Sequence, residues 1–91
     1  STSALTLNFK VPTTTDLEKA KSLLIEVAAQ RSEILSNPAP VVRISALASF
    51  SLTMSLTVRI LSARDASAIQ DAILFDVFRR FKAENVTLTT A

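Results

Sequence analysis

The chain has 91 residues, with 10 Lys and Arg against 8 Asp and Glu for a formal charge of +2, and it contains no Cys, His or Gly. That length suits one small domain around one hydrophobic core. Without Cys or His there is no thiol nucleophile, disulfide, imidazole base or common metal ligand; without Gly there is no phosphate-cradling loop; and the scattered charges form no basic stripe for nucleic acid.

In chain order, Leu5, Leu7, Phe9 and Val11 alternate with Thr6, Asn8 and Lys10. This is the period of a strand with one buried face, ended by Pro12 and the run Thr13 to Thr15. Thr15 with Glu18 three residues on forms a capping box, which places the start of a first helix there. At about 100° per residue, Leu17, Ala20, Leu23, Leu24, Val27, Ala28, Ile34 and Leu35 fall on one arc, so the helix is expected to run to the stop at Asn37-Pro38-Ala39-Pro40.

Val41 to Leu47 is β-rich, and Phe50, Leu52, Met54, Leu56, Val58 and Ile60 alternate with Ser51, Thr53, Ser55, Thr57 and Arg59. The two runs predict a hairpin around Ala48 and Ser49, with Phe50 in the apolar set. The uncharged stretch from Ile44 to Val58 is shorter than the roughly 20 apolar residues of a membrane span and reads as strand. No charged leader followed by an apolar segment opens the chain, so no signal peptide is expected.

A second helix starts at Asp65 or Ser67, the latter pairing with Gln70 as a capping box, and carries Ile73, Leu74, Val77, Phe78 and Phe81 inward. Arg79, Arg80 and Lys82 suit its negative C-terminal end. Asn85, in a glycine-free chain, is the residue suited to a left-handed helix stop, and Val86 to Thr89 follows as a last strand. The order βαββαβ predicts an α+β, ferredoxin-like domain over residues 1–91, an antiparallel four-stranded sheet with both helices on one face.

The run Thr15-Asp16-Leu17-Glu18-Lys19-Ala20-Lys21, through Leu35-Ser36-Asn37-Pro38-Ala39-Pro40, resembles the C-terminal cytoplasmic α/β domain of small-conductance mechanosensitive (MscS-like) channels. Phe81-Lys82-Ala83-Glu84-Asn85-Val86 is similar to that family's Phe-Lys-x-x-Gly-Ile helix end, so the resemblance covers nearly the whole chain. Ala48-Ser49-Phe50-Ser51 stands where the family usually has Gly-Asp-Ser-Ser, and Thr89-Thr90 where it has a Pro-Phe-Pro-like tail. The resemblance implies a domain cut from a larger bacterial inner-membrane channel, usually a heptamer, whose cytoplasmic domains form a vestibule below a pore opened by membrane tension in osmotic downshock. It implies no catalysis and no cofactor.

Two faces are candidate sites. Phe75 projects about 100° from the middle of the expected core arc of the second helix. With Ala68, Ala72 and Arg79 it marks a candidate subunit interface, to which Ile25 on the polar side of the first helix is added; a singly exposed aromatic is the plain alternative. Ser51, Thr53, Ser55, Thr57 and Arg59 form a polar strand face that would meet solutes in a vestibule, or is simply the wetted side of a sheet.

Other functions sharing this topology fit the residues less well. Arg43, Arg59 and Arg64 would need a cradle of free backbone N–H groups to serve an acylphosphatase-like reaction. Asp16, Asp65, Asp71 and Asp76 read as caps and solvated surface. RNA binding needs aromatics on the open sheet face, and metal chaperones need paired Cys. An ACT-like regulatory domain is the main rival; its ligand loop would be Pro12-Thr13-Thr14-Thr15.

Overall fold

The computed structural model describes residues 1–89. Three strands, β1 (Ser3–Pro12), β2 (Val41–Leu47) and β3 (Ser51–Ile60), and two helices, α1 (Leu17–Ala29) and α2 (Ala66–Ala83), make up its regular structure. The strands form one antiparallel sheet in the order β1-β3-β2. Both helices lie on one face of it, α1 over β2 and β3 and α2 over β1. This is the expected α+β, ferredoxin-like arrangement.

β3 is central, and its alternation becomes burial along its whole length: Leu52, Met54, Leu56, Val58 and Ile60 are buried and the residues between them are not. Leu7, Phe9 and Val11 of β1 and Val42 of β2 extend that inner surface. Against it pack Ala20, Leu23, Leu24, Val27 and Ala28 of α1 and Ile69, Ile73, Val77 and Phe81 of α2. Such contiguous apolar burial, worth roughly 25 cal/mol per Å2, is the main stabilising term. None of the described polar side chains is buried.

Several expectations are corrected. The first helix is capped by Asp16, whose Oδ1 accepts from the Lys19 amide at 3.1 Å, one residue beyond the expected Thr15 box. It ends at Ala29, well before the prolines. From there the Arg31 amide bonds to Ala28 O and the Ile34 amide to Arg31 O, tight turns in place of helical bonds. Ile34 then bridges Ile60, and the Leu35 amide donates to Arg59 O at 2.9 Å. Pairing with the sheet wins over helix propensity, and Ile34 reaches the core by a different route.

In α2 the buried row is Ile69, Ile73, Val77 and Phe81, a spacing of four residues. Phe78 is 55% exposed and Leu74 41% exposed, so neither belongs to the core. Phe50 sits in the hairpin turn, 86% exposed, outside the apolar set of β3. The helix starts after Asp65, as expected, but Asp65 makes no side-chain cap bond; Ser62 caps a preceding 3-10 turn, Ala63–Asp65. Ser67 is inside the first turn of α2 and opens no helix of its own.

Asn85 has φ 58°, the left-handed stop expected of it. The Val86 amide donates to Phe81 O at 2.9 Å and the Asn85 amide to Lys82 O at 3.2 Å, the paired bonds of a Schellman motif. Val86 and Leu88 then pack against the core. The segment expected as a fourth strand lies beside β1, where the Thr89 amide donates to Lys10 O at 2.9 Å, but Val86–Thr89 has no regular strand ladder.

Candidate functional site

The outer side of α2 is the first candidate face. With Ile69, Ile73, Val77 and Phe81 inward, helix geometry turns Phe75 about 180° from the centre of the buried row, further out than the sequence phase implied. Ala68, Ala72, Phe75 and Arg79 follow at intervals of four, three and four residues, so one stripe carries them all. Phe75 is 59% exposed, and Arg79 places its guanidinium carbon 5.3 Å from the ring centroid. Lys82 places its Nζ over Phe78, 5.8 Å from the ring centroid. Ile25 stands apart from this stripe: it is on α1, half-buried against the core.

The open face of the sheet is the second. Ser51, Thr53, Ser55, Thr57 and Arg59 all lie on it, half-exposed, opposite the helices. Antiparallel register brings in Thr6, Asn8 and Lys10 from β1 and Arg43 and Ser45 from β2. Thr6 Oγ1 and Thr57 Oγ1 lie 2.9 Å apart. Ser55 Oγ donates to Asn8 Oδ1 at 2.6 Å and lies 2.7 Å from Ser45 Oγ, so a hydroxyl chain crosses all three strands. Ser45 takes part because it is the extra residue at the irregularity between Ile44 and Ala46.

The three arginines weighed as an anion site do not gather. Arg43 pairs with Ser55, whereas Arg59 is four residues, roughly 13 Å, further along β3, and Arg64 lies in the 3-10 turn. The loop after β1 also offers little to a ligand. Its Thr13 amide donates to Phe50 O and its Thr15 amide to Pro12 O, while Asp16 is engaged as the cap. Among the described residues no group of acidic side chains is placed to hold a metal ion.

Charge is spent on joining the helices. Arg31 Nε donates to Asp76 Oδ2 at 2.8 Å, and Arg80 Nη2 to Glu26 Oε1 at 2.6 Å. Lys19 and Glu84 meet at 3.6 Å. The hydrogen bond to Asp76 is the chief cause holding the Arg31 guanidinium above its ordinary pKa. Arg31, Asp76 and Arg80, with Arg79, line an open groove of about 560 Å3 between α1 and α2. Its cations are already partnered, so it is a seam more than a receptor.

Sequence phase missed the exposed apolar residues flanking these faces: Leu74 and Phe78 on α2, and Ile44, Leu47 and Phe50 at the end of the hairpin, with Leu47 77% exposed. The only available signal was the absence of charge from Ile44 to Val58.

Solved structures that share the fold include three cryo-EM structures of Arabidopsis thaliana MSL1. A single-substitution variant superposes with a TM-score of 0.80 at 12% identity, covering 99% of this chain and 36% of that one. A second structure of the protein gives 0.79 at 12%, covering 99% and 34%. A wild-type structure gives 0.72 at 14%, covering 96% and 33%. The chain thus spans about a third of the length of the chains it matches. No curated relative matches in sequence. Residues 5–88 match the family described as the C-terminal part of the mechanosensitive ion channel MscS, and the chain belongs to that family.

Proposed function

We propose that these residues are one domain of a longer membrane protein, a mechanosensitive channel, in which they pack beside copies of themselves to build the cytoplasmic vestibule beneath the pore. The supporting observation is the outer side of α2, where an exposed Phe75 stands among Ala68, Ala72 and Arg79 on the side turned from the core. Small residues around an exposed aromatic let a neighbouring surface approach closely. Family membership and the threefold greater length of the matched chains agree with this reading. No catalytic step is assigned, because the family is one of channel domains.

Ring assembly from seven copies, opening by membrane tension in osmotic downshock, and a place at a bacterial inner membrane rest on the family resemblance; the matched solved structures come from a plant. No helix among the described residues is long and apolar enough to cross a membrane, so attachment is assigned to other segments of the parent protein. The hydroxyl face of β3, from Ser51 to Arg59, is assigned to the vestibule wall that meets permeating solutes.

Phe75→Asp in the full-length protein tests the assembly role. Light scattering in detergent is expected to show loss of the ring, and patch recordings under suction to show loss of current. An intact ring with ordinary currents refutes the role of this face.

A further inference from the structure

The charges of this chain are divided between its two sides. All eight Asp and Glu lie on the helices or the connections beside them, and no strand carries one. The open face of the sheet carries three cations instead, Lys10 of β1, Arg43 of β2 and Arg59 of β3. The formal charge of +2 is therefore +3 on that face and −1 elsewhere, where seven cations meet eight acids.

Nothing within the chain neutralises those three. The ion pairs of the described residues engage Lys19, Arg31 and Arg80, and Arg79 and Lys82 stand over phenyl rings. Among the described residues the side chains of Lys10, Arg43 and Arg59 enter no ion pair and donate no hydrogen bond. A face of one sign with no counter-charge holds a positive potential that attracts anions. Lys21 on α1 and Arg64 in the 3-10 turn are likewise without an ion pair, but they lie off this face.

Register fixes the spacing. Lys10 is opposite Thr53 and Arg43 opposite Ser55, while Arg59 is four residues further along β3. At about 3.3 Å per residue the three stand at successive levels roughly 7 and 13 Å apart along the strands. That stagger is too long for one small oxyanion to bridge. It matches an extended chain, whose alternate side chains repeat on one side at the same interval of roughly 7 Å. Between the cations the face is made of hydroxyl and amide groups, and because Asn8 Oδ1 accepts from Ser55 Oγ at 2.6 Å, the Asn8 amide keeps its N–H donors for a ligand. No strand position on this face is aromatic, so nucleobases would find no ring on which to stack.

We propose that the open face of the sheet docks an extended acidic segment of a partner protein, its carboxylates meeting Lys10, Arg43 and Arg59 and its polar groups meeting the row of Thr6, Asn8, Ser55 and Thr57. Three strands offer a small contact of the transient class, held by solvent-exposed charge and therefore sensitive to salt. Such a partner meets the face assigned above to the vestibule wall, and its docking needs no assembly of copies.

A fluorescent peptide of alternating Glu and Ser, added to the 91-residue chain, whose core closes on itself, tests the proposal. Anisotropy at low ionic strength is expected to show saturable binding that is lost in high salt, and amide shifts in NMR spectra are expected to move along β1, β2 and β3 and not along α2. Lys10→Gln, Arg43→Gln and Arg59→Gln together are expected to weaken binding about tenfold, and each alone about twofold, so the single variants carry the comparison if the triple variant does not fold. Lys21→Gln with Arg64→Gln, which removes charge away from the face, is expected to leave binding unchanged. Absence of saturable binding at low salt overturns the proposal, as does an equal loss from the two sets of changes. An oligouridylate that binds the same face more tightly than the peptide overturns it in favour of nucleic acid.

Discussion

β2 and β3 read alike as sequences and end up in opposite circumstances. Both are β-rich and largely uncharged, yet β3 buries every second residue from Leu52 to Ile60, whereas β2 buries only Val42. The difference is neighbours: β3 is paired on both sides, whereas β2 is an edge strand, exposed from Arg43 to Leu47. Around α2 the same contrast recurs within one helix, Phe81 being 1% exposed and Phe78, three residues earlier, 55%. Apolar identity is therefore a demand for cover, and the tertiary arrangement decides which demands are met inside the chain.

The sharpest way to break that contrast is in α2. Phe81→Ala is expected to cost about 3 to 5 kcal/mol in denaturant melts, while Phe78→Ala in the 91-residue domain costs less than about 1 kcal/mol; equal losses would remove the distinction between the two sides. Leu56→Ala should cost about 2 to 5 kcal/mol, against a change within about 0.5 kcal/mol for Leu47→Ala at the exposed end of β2. Asp16→Ala removes the cap of α1 and should cost about 1 kcal/mol, where Thr15→Ala costs less, separating the observed cap from the one the sequence suggested. Arg80→Gln breaks the contact with Glu26 and should cost at most about 1 kcal/mol at low ionic strength, a loss that fades in high salt.

Three strands, two helices and their order were legible because β1 and β3 alternate cleanly and Asn85 is the natural left-handed stop in a chain without glycine, whereas the expected last strand, Val86 to Thr89, forms no regular ladder. The end of α1 was not, since Ile34 lies on the helical arc of Val27 and is buried in either conformation; only its bridge to Ile60 distinguishes the two. Phe78 was misplaced because the 100° rule gives the width of an apolar arc but not where the neighbouring helix and strand cut it off. The polar residues of β3 were readable by parity, while Asn8 and Ser45 joined them through register and a bulge, which single-strand patterns do not encode. Phase placed Ala68, Ala72, Phe75 and Arg79 off the core side of α2, though Phe75 lies further out than the phase implied.

Ser45, the extra residue in β2, has a second effect beyond adding a hydroxyl to the open face. An apolar hairpin beside an unpaired sheet edge is an invitation to uncontrolled strand addition and fibre growth. The bulge interrupts the edge between Ile44 and Ala46, so an incoming strand cannot continue a regular ladder along it, and Arg43 adds a charge just before the break. The edge beside the exposed Leu47 and Phe50 is thereby made a poorer template for amyloid-like stacking than an unbroken strand would be.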